Sequence, residues 1–247
     1  MPRRDDSPRA DLTAWIGESM RLTTFHGPQV EANDEWRHVT GQEPDSSVSK
    51  PKSNEKYETG MFNESLLTFG FNRMVGRIDW VLGDAATEDG APSFATPYLI
   101  RRDVLNEVAK RWLTARCPPT DRIAFGAVVL LPVASRELAY RSLSDYLNFD
   151  IHDQGASDLT YQINRPRDSI AVNGVRINRM TKWSRARFVK AVRGQENPVT
   201  DQYYCRAEID INNQFTPEGS LPHQRLVDLF GEMVQLADEI IRMGDIS

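Results

Sequence analysis

Asp168–Met180 reads DSIAV-NG-VRINRM, and this stretch decides the fold. Asn-Gly between two alternating runs is the strongest short-range signal for a two-residue type I′ hairpin. A two-residue loop fixes the register: Val172 opposite Val175, Ile170 opposite Ile177 and Asp168 opposite Arg179, all on one face. Ala171, Arg176, Ser169 and Asn178 fall on the other. Hairpin strands are antiparallel, so the sheet around them is expected to be antiparallel too.

Outward from the hairpin, the same period recurs. DLTYQIN reads as a strand. In YCRAEIDIN (Tyr204–Asn212), Ala207, Ile209 and Ile211 alternate with Arg206, Glu208, Asp210 and Asn212, the pattern of a strand with one buried face. RIAFGAVVLLP (Arg122–Pro132) is almost wholly apolar and predicts a strand covered on both faces. SMRLTTFHG (Ser19–Gly27) reads as the first strand. SLLTFGFN (Ser65–Asn72) and MVGRIDWVLG (Met74–Gly83) read as two more, joined by a turn near Asn72-Arg73. Ile78, Trp80 and Leu82 share one side of the latter.

Helical spacing appears between these runs. Leu105, Val108, Ala109 and Trp112 make an apolar stripe in RRDVLNEVAKRWLTARCPP, which Pro118 and Pro119 close. Ser135 caps a helix over Leu138, Leu143, Tyr146 and Leu147. A long C-terminal helix starts after Ser220, with Pro222 in its first turn, and steps through Leu226, Leu229, Met233, Leu236, Ile240 and Met243. Asn33–Gly41 predicts a short helix with Asn33 as cap and Gly41 as stop.

The fold class is therefore α+β: a mostly antiparallel sheet with about three main helices, the C-terminal one packed on the sheet. Residues 1–18 are expected to be a flexible segment and 19–247 one domain, with a two-lobe division near 118–121 left open. Residues 42–58 hold almost no large apolar group and read as a mobile loop.

The chain has 247 residues, 40% hydrophobic and 26% charged, with net charge -5, a globular balance that argues against a general nucleic-acid coat protein. No apolar run reaches the roughly 20 residues of a membrane span. The start, MPRRDDSPRADL, lacks the apolar core of a secretory signal. Two distant cysteines, Cys117 and Cys205, predict no disulfide or zinc framework. A cytoplasmic protein without membrane contact is the expectation.

Charge is separated inside this acidic chain. Residues 165–193 hold nine basic side chains against one acid, Asp168, about +8, while the remainder carries -13. Asn164, Arg165, Arg167, Arg176, Asn178, Arg179, Lys182, Trp183, Arg185 and Arg187 are the candidate binding residues. Arginine forks suit phosphate and carboxylate, and Trp183 and Phe188 offer stacking surfaces. Three ligands fit: the chain's own acids on Arg206–Asn212, an acidic protein surface or a second copy, or nucleic acid. Asp168–Arg179 is the pair most suspected of a structural role. The tripeptide INR occurs twice, at 163–165 and 177–179, which two strands of one sheet would explain.

Catalytic signals are sparse. No phosphate loop, dinucleotide fingerprint or H-E-x-x-H occurs. Glu208 and Asp210 point to one face and, with Asp79, make an alternative: a Mg²⁺- or Mn²⁺-dependent phosphodiesterase or nuclease. His152 and Asp153 are a candidate acid/base pair in a loop. His26, His38 and His223 have no ligand spacing, and Cys117 reads as a buried filler. The leading expectation is a non-enzymatic binding protein without cofactor, using the Arg-rich sheet segment.

RIAFGAVVLLPVASRELAYRSLSDYL, SDLTYQINRPR, INRMTKW and EIDINN…LPHQRLVDLFGEM, with EWRHVTGQEP and GRIDWVL, resemble a sporadically distributed family of uncharacterised bacterial proteins of about this length. The resemblance covers most of the chain from Arg21 onward and implies no activity or site residue. A sporadic distribution resembles that of phage-defence and mobile-element genes, which associates the chain with a bacterial defence or toxin-related setting.

Overall fold

A computed structural model describes residues 9–27, 34–61, 67–85, 96–147, 149–151, 158–190, 200–215 and 219–246. The alternating runs become ten strands of one sheet, every pair antiparallel. The strands are β1 (Ile16–His26), β2 (Ser46–Lys50), β3 (Glu55–Met61), β4 (Leu67–Met74), β5 (Arg77–Asp84), β6 (Thr120–Val133), β7 (Thr160–Asn164), β8 (Arg167–Asp168), β9 (Arg176–Lys190) and β10 (Thr200–Asn213). Their spatial order is β2-β3-β4-β5-β1-β6-β10-β9-β7, with β8 also on β9. The helices are α1 (Glu35–Thr40), α2 (Tyr98–Ala115), α3 (Arg136–Tyr146) and α4 (His223–Met243).

β6 lies between β1 and β10; its Ile123, Phe125, Ala127, Val129 and Leu131 are buried, but Gly126 and Val128 line a cavity on the side away from the helices, so the expected cover on both faces is incomplete. β1 and β6 pair from Ile16–Leu130 to His26–Thr120. α2 and α4 pack on each other and reach β1, β6 and β10, and α3 lies against β9 and β10. Under them Trp36, Phe69, Phe71, Trp80 and Trp112 form an aromatic cluster, with Phe71 and Trp80 centroids 4.7 Å apart. The C-terminal seam behaves as its spacing predicts: Leu226, Leu229, Met233, Leu236 and Ile240 are buried, whereas Met243 is exposed. The Leu105–Trp112 stripe is buried and Ser135 caps α3 by accepting from Leu138 N–H.

Several local expectations change. The N-terminal side is ordered earlier than composition indicates: Leu12 and Trp15 are core residues and β1 starts at Ile16. Asp34, not Asn33, precedes α1, without a side-chain cap; Asn33 lies outside the described residues. The turn after β4 falls at Val75-Gly76, because β4 and β5 pair Met74 with Arg77. Residues 42–58, read as a loop, contain β2 and the start of β3. β2 is exposed along its whole length, so its strand is made by the ladder to β3 and not by burial, and composition carried no sign of it.

The Asn173-Gly174 turn also departs from its expected register. Gly174 has φ +80°, but Asn173 does not have the positive φ that a type I′ turn requires. Only Arg167–Ile177 and Asp168–Arg176 pair as strands, so Asp168 meets Arg176 and not Arg179. The chain between them leaves the ladder because a carboxylate captures it. Glu232 of α4 accepts from Ile170 N–H at 3.0 Å, Ala171 N–H at 3.1 Å and the Ser169 hydroxyl at 2.5 Å, with Arg167 at 3.2 Å. Val172 and Val175 are buried as expected, but Ile170, expected opposite buried Ile177, is 82% exposed.

Candidate functional site

Strand alternation splits the basic ribbon between two faces. On β9, Arg176, Asn178 and Lys182 share the face away from the helices. Arg179, Trp183, Arg185 and Arg187 have the opposite parity. Trp183 is fully buried, with its ring 5.2 Å from Tyr146 and 6.3 Å from Trp15, so it is a core residue and is not available to stack on a ligand. The candidate binding residues therefore do not form one surface.

Most of the ribbon's charge meets the chain's own acids. Arg165 donates through Nε and Nη2 to Asp245 at 2.9 and 3.0 Å, and Tyr161 donates to the same carboxylate at 2.6 Å. Arg167 reaches Glu232, Arg176 reaches Asp168, Lys182 reaches Glu208 at 2.9 Å, and Arg187 grips Asp201 through two hydrogen bonds. Arg179 donates to the Arg165 carbonyl at 3.0 Å; burial, and then the like charge of Arg167, lower its pKa. Arg185 also has a partner within the fold. The two INR copies meet each other. Arg165 N–H donates to the Arg179 carbonyl, and Asn164 Nδ2 donates to Asn178 Oδ1 at 3.3 Å. The repeat is the signature of two adjacent strands sharing one polar row.

That row continues across the open face. Asn178 donates to Asn212 at 3.1 Å, Asn212 donates to Asp210 at 2.8 Å, and Arg21 of β1 donates to Asp210 at 2.9 Å. Arg21 lies flat over Gly126 of β6. A Cβ there would come within 2.7 Å of Arg21 Nε, so the glycine makes room for the arginine. Beside this pair a shallow cavity of about 380 Å³ opens onto the face, lined by Arg21, Gln162, Met180, Lys182, Glu208 and Asp210 among others. Burial raises the pKa of Glu208, but hydrogen bonds and charge from Lys182 and Arg206 outweigh it and hold the carboxyl below its ordinary value. Arg206 also bridges to Glu18 at 3.1 Å.

The alternative metal triad is not assembled. Glu208 and Asp210 do share the cavity, but each already faces a cation. Asp79 sits on β5, with β1 and β6 between it and β10. Three strand spacings amount to about 14 Å, too far for one ion. Asp79 is buried instead against the Thr23 hydroxyl, 2.5 Å away, and Arg77. Among the described residues no group of three or more His, Cys, Asp or Glu side chains is placed to hold a metal ion. His152 and Asp153 lie outside the described residues. Cys117 is buried beside Thr120, and burial pushes its thiol up to about 11, as suits a filler. Among the described residues no helix is long and apolar enough to cross a membrane.

Arg21, Gln162 and Met180 are site residues that sequence reasoning missed. Their signal was present as parity: Arg21 is the polar residue between Met20 and Leu22 on a strand with one buried face. Comparison of the chain with protein-family models, with curated proteins and with solved structures found no match.

Proposed function

We propose that the protein is a non-enzymatic binding protein, that its working surface is the open face of the sheet, and that its partner is a protein. One observation carries this reading. The open face holds the cavity, and its rim presents opposite charges in pairs, Arg21 with Asp210 and Lys182 with Glu208. Paired, half-exposed charges of both signs suit a partner with complementary charges of both signs. Nucleic acid is supported less well. A phosphate backbone needs a row of available cations, and five of the ribbon's basic side chains already engage the chain's own carboxylates.

The test has two arms. Fluorescence anisotropy with labelled single-stranded RNA, single-stranded DNA and duplex DNA should stay flat at micromolar protein and moderate salt. Affinity capture from the native host should recover a partner that Arg21→Glu with Lys182→Glu loses and Arg187→Glu retains. Tight, steeply salt-dependent nucleic-acid binding would reverse the assignment of partner. Saturable Mg²⁺ or Mn²⁺ binding that Asp210→Ala abolishes would revive the phosphodiesterase reading.

A further inference from the structure

The same open face ends in a different kind of site. Strand register sets Phe25 of β1 between Arg77 of β5 and Arg122 of β6. The Arg122 guanidinium lies 4.8 Å from the Phe25 ring centroid and 5.2 Å from that of Phe215, just beyond β10; Arg77 lies 5.9 Å from Phe25. Phe215 is 61% exposed.

Arg122 differs from the other arginines of this face. Arg21 has Asp210, Arg77 has Asp79, and Arg206 has Glu18 and Glu208. Arg122 makes one side-chain hydrogen bond, from Nη2 to Asn212 Oδ1 at 3.1 Å. Its Nε is enclosed, as are those of Arg21 and Arg77; what sets Arg122 apart is that among the described residues no carboxylate pairs with it, which leaves its outer N–H groups as the spare donors. Two rings stabilise the cation by their quadrupoles and restrict its movement, but neither neutralises its charge nor accepts its N–H groups in line. A half-buried guanidinium with spare donors is therefore set up for an anion.

The geometry points to Arg122 as the anchor for a carboxylate of a partner protein, with Phe215 as the apolar contact beside it. This deepens the reading of the open face as the working surface and rests on it. Arginine and aromatic side chains are the usual energetic centres of protein interfaces, and a guanidinium already held between rings loses little freedom on binding. A polyanion fits worse. One cation without a carboxylate among the described residues, on a face that also carries Asp79 and Asp210, in a chain of net charge -5, suits a single acidic side chain better than a run of phosphates.

The experiment follows the arginine Nε–H signals of the whole protein by NMR while a hexaglutamate peptide is added. The Arg122 signal should move first and furthest, saturating, while those of Arg21, Arg165 and Arg187 stay nearly still. Phe215→Ala, an exposed change that leaves the fold intact, should weaken the peptide's affinity roughly threefold or more. Shifts spread evenly over the surface arginines, or none at Arg122 up to millimolar peptide, would overturn the proposal. Shifts around Arg21 without any at Arg122 would sink this inference and leave the open-face reading standing; shifts confined to the helix side would sink both. Tighter binding of oligo-dT than of hexaglutamate at Arg122 would replace the carboxylate with phosphate and overturn the partner class.

Discussion

Near one edge of the sheet, Arg73 of β4 and Glu35 of α1 meet at 2.8 Å with both side chains buried, and Lys56 joins Glu58 beside them. Near the other, Glu232 of α4 is also buried but is held mainly by two backbone N–H groups, a hydroxyl and Arg167. The first edge neutralises charge with charge. The second neutralises charge with backbone, and in doing so shapes the loop after β8. Removing one partner should cost more where a full opposite charge is left behind in the interior than where flexible backbone can turn to water.

Arg73→Ala should have the largest effect. It should lower stability by about 3–5 kcal/mol in denaturant titration, because it takes the nearer cation from the buried Glu35 carboxylate and leaves Lys56 at 4.0 Å. Glu35→Leu with Arg73→Leu should recover much of that loss; a double variant as weak as the single one would show that the pair is not the cause. Glu232→Gln should cost about 1–3 kcal/mol and speed hydrogen exchange at the Ile170 and Ala171 amides, while exchange in β4 stays unchanged.

Acid then separates the two edges again. Burial raises the pKa of Glu232, but its hydrogen bonds from Ile170, Ser169 and Ala171, and the charge of Arg167, outweigh burial and hold it below the ordinary glutamate value. A depressed carboxyl contributes stability that is present above the unfolded pKa and is lost as pH falls through the folded one. Urea midpoints of the wild type should therefore drop through the acid range below the ordinary glutamate value, and the gap to Glu232→Gln should close there. The smallest effect belongs to the surface. Arg187→Ala breaks an exposed pair with Asp201 and should leave the urea midpoint within experimental error.

These two edges also mark what was legible in the residues. The parity of Ala207, Ile209 and Ile211, the apolar length of β6 and the seam of α4 depend on periods of two and 3.6, so each could be read locally. The partners of charge could not. Arg165 pairs with Asp245 and Arg167 with Glu232, 80 and 65 residues away, and no local rule connects them. The same distance hid the capture of Ser169–Ala171 by α4, which overrode the Asn-Gly signal. Of the candidate site, the split of the ribbon between two faces followed from parity alone. The burial of Trp183 did not, because it depends on Trp15 and α3 packing over it.

The strand order has one more consequence, for how the molecule assembles. Strands β1–β5 and β6–β10 each occupy one contiguous stretch of the sheet, and the two stretches touch only along β1 and β6. Neighbours such as β4–β5 and β9–β10 close over short lengths of chain. The β1–β6 ladder joins pairs from His26–Thr120 to Ile16–Leu130, 94 to 114 residues apart in the chain. Closing so long a loop is the entropically expensive step that slows folding. One seam in the middle of the sheet thus sets the pace at which two separately begun halves become a single molecule.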